Sequence, residues 1–112
     1  MEFSDEMRRY RVTLYGSSYT RERVKTRLAR LFRKRSLTDT IDGEGRRHVV
    51  LRNGTEIRYA DIPHSGYFNE PFAEMDVRST EDYFDRSSDA LDDYSSRNKL
   101  HLRVSAERLD EE

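Results

Sequence analysis

At 112 residues the chain supports one domain of ordinary size and not two, and zero Cys excludes disulfides, thiol catalysis and thiolate-bound zinc. Charged residues are 38% of it, while Leu, Ile, Val and Phe number 23, about a fifth, which allows only a small core. No apolar run approaches the ~20 residues of a membrane span and no signal-peptide pattern opens the chain, so the expected compartment is the cytoplasm.

Residues 1–8 read as a flexible N-terminus, followed by a single α+β domain over 9–105. Tyr10, Val12 and Leu14 alternate with Arg11, Thr13 and Tyr15, the period of a half-buried strand. Gly16-Ser17-Ser18 ends it, and Thr20 offers an N-cap hydroxyl for a helix over 21–35. Val24, Leu28, Leu31 and Phe32 form its narrow apolar stripe, and eight of its residues are basic. Residues 37–45, with Asp39, Asp42, Gly43 and Gly45, read as a loop. Strands are expected over 46–52 and 55–60, joined at Asn53-Gly54, the favoured pair for a type I′ turn. Residues 61–71 hold both prolines and read as a loop with Tyr67 and Phe68 near its tip. Ala73, Met75 and Val77 alternate with Glu74, Asp76 and Arg78 in a further strand. Ser79 is a candidate N-cap for a helix over 80–96 whose apolar face is Tyr83, Phe84, Ala90, Leu91 and Tyr94. Leu100, Leu102 and Val104 mark the last strand, with Lys99, His101 and Arg103 opposite, and 106–112 reads as an acidic C-terminal tail.

The order β-α-β-β-(β)-α-β matches a two-layer, ferredoxin-like split βαβ sandwich. Both helices are expected on one face of a mainly antiparallel sheet. The two helical crossovers imply parallel neighbours within it.

The net charge of −1 hides two unlike parts. Residues 1–53 carry 14 Lys/Arg against 7 Asp/Glu, a net +7, while 54–112 carry 7 against 15, a net −8. Arg outnumbers Lys by 18 to 3; its planar fork suits carboxylates and phosphates, although a GC-rich genome produces the same bias. The basic helix presents Arg23, Lys25, Arg27, Arg30, Arg33 and Lys34 as a candidate partner-binding surface. The second helix presents Asp82, Asp85, Asp89, Asp92 and Asp93 as an acidic one. Two readings of these rows are open: they pair with each other within the chain, each exposed pair adding only ~0–1 kcal/mol, or they serve an outside partner.

A third surface is the sheet face turned away from the helices, with Arg11, Tyr15, His48, Arg58, His101 and Arg103. It suits phosphates and stacked bases, as on RNA-binding sheets, but lacks the clustered aromatics of those modules, and a plain solvated sheet or dimer interface fits it equally. The turn 16–20 lacks the glycine spacing and the Lys of phosphate-binding loops. No metal-binding spacing occurs among the three His; His48 and His101 as neighbours across the sheet are the one pair to check. Tyr67 and Phe68 are candidate loop anchors for a protein contact, or caps on the core.

No cofactor, metal or catalytic motif is expected. The leading expectation is a small non-enzymatic interaction protein, a regulator or inhibitor, docking on a protein partner or on a second copy as a homodimer. RNA or DNA binding through 21–35 or the bare sheet is the alternative. A phosphate-ester enzyme using His48, His101, Arg11 and Arg103 is the third.

Overall fold

The structure, a computed structural model, describes residues 6–63 and 69–109. Alternating side chains build six strands: β1 (Met7–Tyr15), β2 (Ser36–Ile41), β3 (Arg47–Leu51), β4 (Glu56–Asp61), β5 (Pro71–Thr80) and β6 (Arg103–Leu109). Two helices interrupt them, α1 (Ser18–Arg35) and α2 (Glu81–Arg97). The chain is α+β, and its strands form one antiparallel sheet in the order β2-β3-β4-β5-β1-β6.

The expected parallel neighbours do not occur. The α1 crossover carries the chain from β1 to β2 past three intervening strands, and the α2 crossover from β5 to β6 straddles β1. Every hydrogen-bonded pair is therefore antiparallel, and β1 lies between β5 and β6.

Several boundaries differ from those expected. Ser36–Ile41 is an edge strand, not a loop, because its backbone pairs with β3 and Asp39 clasps Arg47 with two hydrogen bonds (2.8 and 2.6 Å). Ser17, not Thr20, caps α1, its Oγ accepting from the Thr20 amide (3.3 Å). Thr20 lies inside the first turn and is buried. Thr80, not Ser79, caps α2, accepting from the Tyr83 amide (3.3 Å). Asn53-Gly54 does turn the chain, but not in a type I′ turn, since only Gly54 has positive φ (+91°). The Gly54 amide donates to Leu51 O (2.9 Å) and the Leu51 amide to Thr55 O (2.8 Å), a three-residue loop with glycine in the left-handed position.

At the start, Met7 and Arg8 pair with β5, although sequence assigned them to the terminus. Toward the other end, residues 98–102 are a turn, with Lys99 (φ 53°) and His101 (φ 54°) in left-handed backbone. The last strand consequently begins at Arg103, and 106–109, expected in the tail, pair with β1.

One face of the sheet is apolar. Register places Tyr10, Val77 and Ile57 in one row across β1, β5 and β4, and Val12, Met75 and Tyr59 in the next. Both helices cover this face. Phe32 of α1 meets Tyr59 edge-on (6.5 Å), and Phe84 of α2 stacks flat on Tyr10 (3.8 Å between centroids). The cover is uneven. Val24 and Phe32 of α1 are fully buried, whereas Tyr83, Phe84, Leu91 and Tyr94 of α2 are only partly so, and Ala90 is exposed. Among the described residues no helix is long and apolar enough to cross a membrane.

Candidate functional site: the surface between the helices

The two helices touch chiefly at one end. Thr20 Oγ1 donates to Leu100 O in the turn after α2. One turn along α1, Arg23 donates to Asn98 Oδ1 (3.2 Å), and one turn further the Arg27 guanidinium lies 4.4 Å above the Tyr94 ring. These three contacts form a clasp between the N-terminal half of α1 and the C-terminal end of α2.

The basic side chains divide into three groups. Arg23, Arg27, Arg30 and Lys34 follow each other at four-, three- and four-residue steps, so they share one face of α1. With Thr26, Leu31, Arg35 and Tyr94 they line an open groove beside α2. Lys25 points elsewhere and pairs with Asp61 at the end of β4 (3.1 Å). Arg33 is exposed and lines no groove. Sequence reasoning missed Arg35 and Tyr94 as groove residues. Tyr94 reads in sequence as part of the apolar face of α2, and Arg35 as the last residue of α1.

The acidic row does not neutralise the basic one. Among the described residues, no ion pair joins a cation of α1 to a carboxylate of α2. Asp82 and Asp93 instead pair within α2, with Arg86 (3.1 Å) and Arg97 (2.9 Å). Asp85, Asp89 and Asp92 are exposed, at four- and three-residue spacing, and have no salt-bridge partner among the described residues. The one α2 side chain in the groove is Tyr94, whose ring takes the Arg27 cation without adding a negative charge.

On the opposite sheet face, charges alternate and pair. Arg11 approaches Asp76 (3.9 Å), Arg78 meets Glu56 (3.3 Å), and Arg103 lies 4.2 Å above the Tyr15 ring. Arg58 stands opposite Asp76 in the register. Glu56, Glu74 and Asp76 interrupt the cations, so the face is a mixed lattice rather than a positive plane. His101 is not on it, because the turn at 98–102 precedes β6. Nor are His48 and His101 neighbours: β3 and β6 lie four strand spacings apart, about 19 Å. The phosphate-ester constellation is not assembled. Its four members split between β1, β3 and the β6 end of the sheet.

His48 has a local task. Its Nε2 lies 2.9 Å from Asp42 Oδ2, while Asp42 Oδ1 accepts from the amides of Glu44 (2.8 Å) and Arg46 (3.0 Å). The His48 hydrogen bond first, then the Arg46 and Glu44 amides, hold the Asp42 carboxyl down at about 2. Beside it the Arg47 guanidinium lies 5.0 Å over Phe32 and holds the Asp39 carboxyl below its usual value. These are devices of the β2–β3 turn. Two tyrosines of the covered face, Tyr10 and Tyr59, have their phenol pKa values raised, chiefly by burial.

Other candidates stay structural or lie elsewhere. At 16–20 a β-carbon on Gly16 would come within 2.8 Å of Thr20 Cγ2, so glycine is required by packing. Tyr67 and Phe68 lie outside the described residues. Among the described residues no group of three or more His, Asp or Glu converges as a metal site. Compared with protein-family models, curated proteins and solved structures, the chain finds no significant match.

Proposed function

We propose that this chain is a small non-enzymatic interaction protein, of the regulator or inhibitor kind, that acts in the cytoplasm by holding an acidic protein surface against the groove of α1. We read its architecture as ferredoxin-like, with β4-β5-β1-β6 as the four-stranded unit and the β2–β3 hairpin added at one edge. One observation carries the functional reading. Arg23, Arg27, Arg30 and Lys34 line one groove and have no carboxylate partner among the described residues. Uncompensated charge of one sign on a shaped surface orients and speeds encounter with its opposite.

The first acidic surface available is on a second copy. Asp85, Asp89 and Asp92 repeat on α2 with nearly the spacing of the basic row, so the two rows of a symmetric pair can meet twice. Sedimentation equilibrium at low and high salt tests this. A dimer at 20 mM salt that dissociates at 500 mM, and that Arg27→Glu/Arg30→Glu abolishes, supports it. Recovery of a heterodimer when that variant is mixed with Asp89→Arg/Asp92→Arg identifies the two rows as partners. A monomer throughout removes the homodimer, and the acidic partner is then a different protein.

RNA or DNA binding is the second reading, favoured by the same unpaired row. It predicts that log affinity for a polynucleotide falls steeply with log salt and that Arg27→Glu/Arg30→Glu flattens the slope. Failure to retard any polynucleotide at low salt ends it.

A further inference from the structure

Away from the clasp, the helices leave part of the core uncovered. A cleft of about 340 Å³ descends between Leu28 and Leu31 of α1 and Phe84 and Leu91 of α2 to the sheet. On the cleft floor Ile57, Met75 and Val77 each retain 8% exposure. Of the five hydroxyl side chains that line the cleft, Thr55 and Ser79 bond to each other (3.4 Å) and Ser79 donates to Thr80 O (3.0 Å), while Tyr83, Ser87 and Ser88 stand on the α2 wall. The floor therefore offers a visitor mainly apolar contact.

The rim supplies a sign. Arg27 and Arg35 of α1 and Arg86 of α2 line the cleft, and no Asp or Glu does, in a chain with 22 of them. Arg86 is tethered to Asp82, but Arg35 has no ion-pair partner among the described residues. Size limits the occupant. Two turns of helix, about 11 Å long and 10–12 Å across, displace roughly three times this volume. The cleft falls instead at the lower end of the range of about 300–1,000 Å³ found for small-ligand sites.

We infer that this cleft binds a free single-chain fatty carboxylate, with its alkyl chain between the helices on the sheet and its head group at Arg35. The apolar walls take the chain, and the Arg35 guanidinium takes the carboxylate with paired N–H donors, while Arg27 stays on the Tyr94 ring and adds only its positive charge to the rim. One chain fills the space, so a two-chain bilayer lipid is not the source. The site shares Arg27 and Arg35 with the proposed partner groove, but its core contacts are its own. Loss of one proposal leaves the other standing.

Titration calorimetry with octanoate, decanoate and dodecanoate, each below its micellar concentration, tests the inference. Affinity should rise about tenfold or more for every two methylenes added until the cleft is full. Amide shifts should concentrate at 27–35 and 83–91. Arg35→Glu, a surface change, should weaken dodecanoate binding at least about tenfold while leaving decanol unaffected. Ala90→Phe, on an exposed part of the wall, should block the cleft and abolish binding with the thermal midpoint retained. If that variant does not fold, Ser87→Phe serves the same end. Equal binding of dodecyltrimethylammonium would overturn the inference. So would affinity independent of chain length, binding that survives a plugged cleft, or association with phosphatidylglycerol vesicles alone.

Discussion

Replacing Thr20 by Val tests the clasp with almost no change in shape. Thr20 is 2% exposed, and its hydroxyl donates to Leu100 O across 80 residues of sequence. Valine keeps the branched volume and puts a methyl group where the donor was. The capping bond survives, because Ser17 supplies that oxygen. What is lost is the buried hydrogen bond to Leu100 O, whose carbonyl is stripped of its partner at about 1–3 kcal/mol, together with the half-buried bond between Thr20 Oγ1 and Ser17 Oγ (3.3 Å). Thr20→Ser is the control. It keeps the hydroxyl and deletes one buried methyl group, costing about 1 kcal/mol. For a domain of this size 1 kcal/mol corresponds to about 4–5 °C, so Val, at about 2 kcal/mol in the middle of that range, should lower the thermal midpoint by about 8–10 °C and Ser by about half that. Urea unfolding followed by circular dichroism gives the free energies. Amide exchange locates the effect at Leu100 and Leu102, whose N–H groups donate to Ser95 O (3.0 Å) and Ser95 Oγ (3.3 Å). A Val variant as stable as the Ser variant, or unchanged exchange at Leu100, would refute the clasp as a source of stability.

Two further outcomes are expected. Gly16→Ala should destabilise by about 1–3 kcal/mol in urea unfolding, because its new methyl group meets two buried Thr20 carbons at 2.8 and 2.9 Å. The 42–48 turn should loosen in acid. Asp42 titrates at about 2 when folded and near 3.8 when free, so its contribution is complete above about pH 4 and is lost as pH falls through 2. An NMR titration should show the Glu44 and Arg46 amides moving together with the Asp42 carboxyl near pH 2, and the Asp42→Asn variant should remove that transition.

What was legible in sequence followed from period and local chemistry. The alternation at 10–15 and 73–78 and the four-residue steps of Val24, Leu28 and Phe32 placed strands and helix correctly, because each repeats over enough residues to outweigh composition. Strand β2 was hidden. Ser-Leu-Thr-Asp-Thr-Ile lacks a buried face, and its pairing depends on β3 and on Arg47, which lies eight residues beyond Asp39. The alternation of Leu100, Leu102 and Val104 misled for the opposite reason. Leu100 is buried by a turn that needs left-handed backbone at Lys99 and His101, and side-chain period carries no trace of φ. The basic row was readable from spacing alone. Its neighbour Tyr94 and the cleft were not, since both arise from how far apart two helices stand, which neither helix encodes by itself.

The seat of β1 between β5 and β6 has a cost in time. Residues 7–15 are made before the rest of the sheet, yet the strands that flank them end at Thr80 and Leu109. At about 5–20 residues per second, roughly 3–13 s separate the synthesis of β1 from that of β5. Through that interval Tyr10, Val12 and Leu14 have no sheet to join, while the β2–β4 meander can already pair with itself. The first strand of the sheet to be made is thus installed late, after β5, and β6 then closes over its free edge.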